Sequence, residues 1–291
     1  MLLAENWKDY ILLDAAHGEK VEFWGDIKLR RPDPQAIWQD HSDEKSWKNL
    51  HAHYHRSASG GGSWEYFKKL PESWKVKYDN LTFNIKPMGF KHTGLFPEQA
   101  VNWEFIMRNI AKANRPVSVL NLFAYTGGAT VAAAYAGAKV VHVDASKGMV
   151  TWAKENAASS GLADAPIRYI VDDVVKFVER EKRRGNKYDC IIMDPPSYGR
   201  GPKGEIWKFE DEFYPLVCKC MEVMSDDPLF FIVNSYTTGI SPTVVGNVLK
   251  LTVGKKYDGK VISDEIGLPI KSSGQVLPCG LTARWYSNNC D

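Results

Sequence analysis

The residues best suited to chemistry in this 291-residue chain stand in one run, Asp194-Pro195-Pro196-Ser197-Tyr198-Gly199, entered straight from the apolar stretch Tyr188–Met193. Two successive prolines fix the backbone and remove two N–H donors, leaving carbonyls as rigid acceptors. Rigid acceptors beside a carboxylate suit an amino group whose nitrogen must approach a reactive carbon in line. A plain turn also tolerates Pro-Pro, but an apolar strand running directly into Asp-Pro-Pro favours a site. Asp194, Pro195 and Pro196 are therefore the candidate reacting-centre residues. Tyr198 either stacks on a planar ring or packs in its loop.

Three other loops carry polar groups at comparable places. Asn121–Ala129 reads NLFAYTGGA; its glycines permit a tight turn and close approach of backbone to a ligand at a helix N-terminus. Glycine packing between a strand and a helix explains that loop equally well. Asp144 ends a second apolar run, where a carboxylate can accept from both hydroxyls of a ribose; its other reading is a helix N-cap. Asp172-Asp173 ends a third. One of these carboxylates would accept from an adenine amino group and the other would cap a helix, with Asp173 preferred for adenine.

These loops matter together only if the elements between them form one sheet. From about Arg115, strand and helix signals alternate. Strands are expected at Val117–Leu122, Lys139–Val143, Ile167–Val171, Tyr188–Met193 and Leu229–Val233. Helices are expected at Ala129–Ala136, Lys147–Ser159, after the third strand toward Arg184 and Gly185, and at Glu210–Met224. Such βα repetition indicates an α/β fold with a mostly parallel, Rossmann-like sheet, whose ligands bind beyond the carboxyl ends of the strands. After a helix near Pro242–Leu251, strand-like Tyr257–Ile262 and Leu281–Tyr286 suggest a closing antiparallel hairpin.

Residues 1–90 read differently, as a small, mostly β accessory domain ahead of a main domain at 91–291. Short aromatic or β-branched pieces (Tyr10–Leu13, Val21–Trp24, Leu81–Ile85) alternate with breakers, and a hairpin is expected to turn at Asp79-Asn80. His51, His53 and His55 recur at period two, on one face of a strand. No acidic or thiol residue adjoins them in sequence, so a half-exposed strand is favoured over a metal site, and no metal is expected.

Bulk properties exclude little. The net charge of +2 gives no global attraction to polyanions, so any such site must be a local patch. Five cysteines without a CxxC pair read as reduced thiols in a cytoplasmic protein. Neither a signal peptide nor a membrane span is expected. Arg180, Lys182, Arg183 and Arg184 end a helix, where cations favour the dipole. Arg200, Lys203 and Lys208 follow Asp-Pro-Pro, on the side where a substrate phosphate would lie. The run Gly199–Gly204 suggests a loop able to close over substrate.

Taken together, the residues resemble the class I S-adenosylmethionine (SAM)-dependent methyltransferases. They are more narrowly similar to the bacterial family of 23S rRNA cytosine-C5 and guanine-N7 enzymes. The matching pieces are NLFAYTG (Asn121–Gly127), HVDAS (His142–Ser146), WAKEN (Trp152–Asn156), Ser160-Gly161-Leu162 and YDCIIMDPP (Tyr188–Pro196). Phe90–Gln99 (FKHTGLFPEQ) adds a segment ahead of the sheet. The resemblance implies that Thr93 and Gln99 reach the methionine end of SAM. It implies that Asn121, Phe123, Ala124, Tyr125, Thr126 and Gly127 wrap the same moiety. Asp144, with Ala145 and Ser146, would hold the ribose, Asn156 would support the cofactor, and Asp172 or Asp173 would take the adenine. Asp194 would face both cofactor and target, and Ser197, Arg200 and Lys203 would meet substrate.

Departures narrow the chemistry. Ala100 stands where the family has arginine, and no cysteine follows strand five, which reads Ile232-Val233-Asn234-Ser235-Tyr236, nor follows Asp-Pro-Pro. Methylation at carbon-5 of cytosine needs a thiolate to add to the ring. The expected target is therefore a nitrogen, and the resemblance implies that it belongs to a base of RNA, and of ribosomal RNA in particular. The competing reading of strands one and two, a nicotinamide dehydrogenase, lacks the G-x-G-x-x-G spacing and explains neither Asp-Pro-Pro nor the closing hairpin. A methyltransferase for a small molecule or protein, with the N-terminal domain as a lid, and a SAM-binding module without catalysis remain as alternatives.

Overall fold

The computed structural model describes residues 1–57, 61–200 and 206–290. Its contacts divide the chain into two compact units. The larger comprises Val101–Glu265 and the chain from Gly280, with Met1; the smaller comprises Leu2–Ala100 and Ile266–Cys279.

The larger unit opens on helix α1 (Ala100–Lys112) and then alternates: β1 (Ser118–Leu122), α2 (Gly128–Tyr135), β2 (Lys139–Asp144), α3 (Lys147–Ser159), β3 (Ile167–Val171), α4 (Val174–Arg184), β4 (Cys190–Met193), α5 (Phe209–Met221), β5 (Phe230–Ser235) and α6 (Pro242–Leu251). A short helix, α7 (Val253–Lys256), leads to the long strands β6 (Gly259–Pro269) and β7 (Val276–Ser287). The sheet order is β6-β7-β5-β4-β1-β2-β3. Strands β1 to β5 run parallel, and β7 is antiparallel to β5. This is the expected α/β sheet with its closing antiparallel hairpin. The hairpin strands are longer than the sequence suggested. Strand β4 is shorter, because Tyr188 makes only an isolated bridge to Met224 before regular pairing begins at Cys190.

Strand periodicity explains why the inner strands look uniformly apolar. Leu120, Leu122, Ile191, Met193, Phe231 and Val233 point to one face, where Phe177 of α4, Phe213 and Leu216 of α5, and Leu249 of α6 cover them. Val119, Cys190, Ile192, Phe230 and Ile232 point to the other, beneath Phe105, Ile106 and Ile110 of α1 and Ala133 of α2. Each fully buried large side chain contributes roughly 1.5–3 kcal/mol relative to exposure, so both faces favour this one sandwich.

The smaller unit is mainly β. Its principal sheet joins Tyr10–Ala16, Glu19–Trp24, Ile27–Pro32, Ala52–Arg56 and Gly62–Tyr66 in that order. Trp74–Tyr78 and Leu81–Ile85 form the expected second hairpin, turned by Asp79 at φ 50° in place of glycine. The tail segment completes this unit: Lys271 N and Ser272 N donate to the carbonyls of Leu12 and Leu13, and Ser272 Oγ donates to Asp14. The three histidines do not act as one set. His51 lies just outside its strand and accepts from Lys28 N through Nδ1, whereas His53 and His55 share a face. No helix among the described residues is long and apolar enough to cross a membrane.

Candidate cofactor and active site

The parallel register sets the site. Leu122 of β1 is level with Val143 of β2 and Met193 of β4. The next residues, Phe123, Asp144 and Asp194, therefore leave the sheet side by side. This happens where strand order reverses between β1 and β4, the place at which open α/β sheets leave a crevice.

The first loop is held in an unusual shape. Phe123 (φ 53°), Tyr125 (φ 50°) and Gly127 (φ 82°) are all left-handed, a conformation costing non-glycine residues about 1–2 kcal/mol each. What holds it is partly Asp144, whose Oδ2 accepts from Tyr125 N and Oδ1 from Ser146 N, both at 2.8 Å. Ala124 N adds a bond to the Val143 carbonyl. Gly127 N-caps α2 without a side-chain hydrogen bond, so the first-turn N–H groups of that helix are left to a ligand or to solvent. A Cβ on Gly127 would also stand 2.9 Å from Ala153 Cβ of α3, so glycine is needed for packing as well as for φ.

Asp144 is thus not the N-cap of α3; Ser146 holds that position. Two of the carboxylate's roughly four acceptor sites are used. Burial pushes its pKa above the usual aspartate value, against the lowering by the two backbone donors. A half-desolvated acceptor with sites to spare fits a pair of hydroxyl donors such as those of a ribose. Ala145 and Ser146 lie exposed beside it.

Three expected cofactor contacts turn out to sit behind the loop. Asn121 is buried in β1 and its amide donates to Thr130 Oγ1, which in turn meets His142 Nδ1 at 2.9 Å. Asn156 is fully buried in α3, and its amide donates to the Thr126 carbonyl at 2.8 Å. The Thr126 side chain is buried as well. Asn121 and Asn156 hydrogen-bond behind the loop and shape it from within. His142 was missed by sequence reading: burial holds it neutral, with its pKa pushed down to about 3.

Of the acidic pair after β3, Asp173 takes the capping role. Asp173 N-caps α4, accepting from Lys176 N at 2.9 Å. Asp172 forms an ion pair with Arg180 and accepts from Asp173 N. The preference for Asp173 as the adenine acceptor is therefore corrected, since its carboxylate caps the helix.

After β4, Asp194 is half-buried, Pro195 buried, and Pro196 and Ser197 exposed. The Pro196 carbonyl accepts one hydrogen bond, from the indole N–H of Trp207 at 2.6 Å, which leaves its second lone pair. The same indole packs on the Phe123 ring, with centroids 5.4 Å apart, and so links the first and fourth loops. Thr237, beyond β5, donates through Oγ1 to Ser197 Oγ at 2.9 Å. Trp207 and Thr237 were not foreseen; an aromatic and a threonine lying 11 and 40 residues from their partners give no local signal. Tyr198 is half exposed, on a short antiparallel ribbon that pairs Tyr198–Arg200 with Ile206–Lys208. Lys203 lies outside the described residues, as do the neighbouring positions 201–205 of the expected closing loop. In the smaller unit, Thr93 is fully buried with an unpartnered Oγ1, and Gln99 is buried.

An uncapped helix N-terminus, an acceptor suited to a ribose and an Asp-Pro-Pro turn at adjacent strand ends fit SAM. Comparison with known proteins agrees. A SAM-dependent methyltransferase from Agrobacterium tumefaciens has 37% identity and a TM-score of 0.91, covering 98% of this chain and 92% of that one. SMU.776, a putative methyltransferase complexed with SAH, shares the fold at 19% identity and a TM-score of 0.73, over 97% of this chain and 76% of its own. The ribosomal RNA large subunit methyltransferase K/L of Colwellia psychrerythraea is 31% identical over 188 residues, 64% of this chain. Matches to such curated relatives span only 16% to 23% of their length. The family model for S-adenosylmethionine-dependent methyltransferases matches residues 39–212, more than half of the sequence, and the chain belongs to that family.

Proposed function

We propose that this protein transfers a methyl group from SAM to a base nitrogen of RNA, with ribosomal RNA in the cytoplasm as the substrate. The observation that carries the reading is the emergence of Phe123, Asp144 and Asp194 from neighbouring strand ends at the switch point of the sheet. SAM supplies an already activated methyl group, so the chain's task is to bind, orient and exclude water.

In this reading Asp144 accepts from the ribose hydroxyls, Asp172 from the adenine amino group, and the loop Phe123–Gly127 lies along the methionine end. Asp194 orients the attacking amino group or takes its proton. Pro195 keeps that carboxylate in place, Trp207 fixes the Pro196 carbonyl, and Tyr198 offers a face for an extruded base. Ser197 meets the substrate; Arg200, Lys203 and Lys208 take its phosphates.

A nitrogen target is favoured because the cysteines are ill placed for addition to a pyrimidine ring. Cys190, Cys220 and Cys290 are buried, and burial pushes the Cys190 thiol well up. Cys218 lies on α5 and Cys279 in the smaller unit. The ribosomal substrate is supported by the names of the curated relatives.

The test is transfer of labelled methyl from SAM to ribosomal RNA, beside calorimetry of SAM binding. Asp144→Ala should lose SAM affinity, whereas Asp194→Ala should bind SAM and fail to turn over. Turnover that survives Asp194→Ala refutes the mechanism. Turnover on RNA should weaken steeply with salt, and a salt-independent rate on a small acceptor would sink the RNA assignment.

A further inference from the structure

The histidines at period two did not enter the methyl-transfer site, and the fold gives two of them what the sequence lacked. His53 and His55 project from the same face of the strand Ala52–Arg56, with ring centroids 3.9 Å apart. The next strand, Gly62–Tyr66, is antiparallel and places Glu65 directly opposite His53. His55 Nε2 lies 2.7 Å from Glu65 Oε2. One ligand-capable atom from each of His53, His55 and Glu65 falls within 4.8 Å of the other two. Behind them His53 Nε2 donates to Glu19 at 2.7 Å, and Glu19 is paired with Arg30 and held at a pKa of about 2.

We propose that His53, His55 and Glu65 bind one divalent transition-metal ion of the zinc class, bridging two strands of the smaller unit. Two imidazoles and one carboxylate are a donor set for zinc, cobalt or nickel; magnesium and calcium demand oxygen ligands throughout. Metal–ligand bonds of about 2.0–2.2 Å put the donor atoms of a tetrahedral site roughly 3.3–3.5 Å apart. The cluster must therefore tighten by up to about 1.5 Å from its outer limit of 4.8 Å. The movable partners are suitable for that: the side chains of His55 and Glu65 are 50% and 53% exposed. His53, 9% exposed, is the fixed member.

The Glu19–His53 bond is the arrangement a metal-binding imidazole needs. A carboxylate that accepts from one ring nitrogen sets the tautomer and orients the other nitrogen toward the metal. With Nε2 committed to Glu19, Nδ1 is the nitrogen that turns to the ion. The ion takes the place of the direct contact between His55 Nε2 and Glu65 Oε2. Three protein ligands at a half-exposed position leave the fourth to water. The competing arrangement is two ordinary His–Glu pairs with the rings 3.9 Å apart and no ion.

The proposal stands independently of the methyl-transfer reading, since all of its residues lie in the smaller unit. Its test uses the full, tag-free chain after treatment with a chelator. Cobalt(II) is titrated while the visible absorption is followed, then zinc is added, and zinc binding is measured directly by calorimetry. One equivalent of cobalt should give the intense visible bands of a four- or five-coordinate ion and be displaced by one equivalent of zinc. Glu19→Gln should weaken binding about 10–100-fold, as loss of an orienting acceptor does; His55→Ala and Glu65→Gln should weaken it further. His17→Ala, at a histidine beside His41 elsewhere in the unit, should leave it unchanged. Circular dichroism and SAM calorimetry on each variant show that the chain is folded. Failure of the folded wild-type chain to take up an equivalent of cobalt or zinc overturns the proposal, as does binding that persists unchanged in His55→Ala and Glu65→Gln.

Discussion

Replacing Gly127 by alanine separates two reasons for glycine in the cofactor loop. The first is conformational: at φ 82° an alanine costs about 1–2 kcal/mol relative to glycine. The second is steric. The added Cβ would lie 2.9 Å from Ala153 Cβ and 3.4 Å from Ala153 Cα. Both belong to the body of α3, so the helix itself must give way, at a cost of about 1–3 kcal/mol for overpacking of this kind. The expected loss is therefore about 2–5 kcal/mol. Gly161 provides the control, because it has φ 76° and nothing within 4 Å of the place its methyl group would take; Gly161→Ala should cost only the conformational part, about 1–2 kcal/mol. Combining Gly127→Ala with Ala153→Gly removes the contact at a helix cost of about 1 kcal/mol, and should recover part of the loss. Urea unfolding followed by circular dichroism gives the stabilities, and calorimetry gives the SAM affinity. That affinity should fall at least tenfold in Gly127→Ala and stay unchanged in Gly161→Ala. Equal destabilisation of the two single variants, or full SAM binding by Gly127→Ala, would refute the reasoning.

Three further outcomes follow from particular contacts. His142 is neutral in the fold, with a pKa pushed down to about 3, whereas an unfolded histidine titrates near 6.5. Its contribution is therefore complete above about pH 6.5 and is lost as pH falls toward 3, by about 2 kcal/mol between pH 7 and pH 5; His142→Phe should flatten that part of the stability profile. Trp207→Phe keeps a ring against Phe123 but removes the N–H on the Pro196 carbonyl, so turnover should drop roughly tenfold, equivalent to about 1.4 kcal/mol, with SAM affinity unchanged in calorimetry. Asp173→Ala should lower stability by about 0.5–2 kcal/mol through loss of the α4 cap and leave SAM binding intact, whereas Asp172→Asn should weaken SAM binding.

The sheet was legible because its strands announce themselves locally. Val119, Leu120 and Leu122, or Ile191, Ile192 and Met193, are apolar on both faces because both faces are buried, and each run ends at a polar loop. The positions of Asp144 and Asp194 at strand ends follow from that pattern. What was not legible depended on partners distant in sequence. Asn156 looks like a ligand contact until the Thr126 carbonyl, 30 residues away, is seen to claim its amide. Asp172 and Asp173 are chemically alike, and only the backbone direction at the start of α4 makes Asp173 the cap. Glu65 is 10 residues from His55, farther still from His53, and joins them through strand pairing alone. Register is a tertiary quantity, and side chains brought together by it leave no spacing to read.

The chain order of the smaller unit bears on how the protein is made. Its first hundred residues leave the ribosome early, but Lys271 and Ser272, which bond to the strand Tyr10–Ala16, and Ile266–Gly267, which pair with Leu2–Leu3, follow some 170 residues later. At synthesis rates of roughly 5–20 residues per second, the nascent unit waits about 8–35 s for its last segment. During that interval Leu2–Leu3 and one side of Tyr10–Ala16 lack their final backbone partners, so the early chain is the stage most open to chaperones and to proteolysis. A fragment ending near residue 100 would prolong that stage indefinitely.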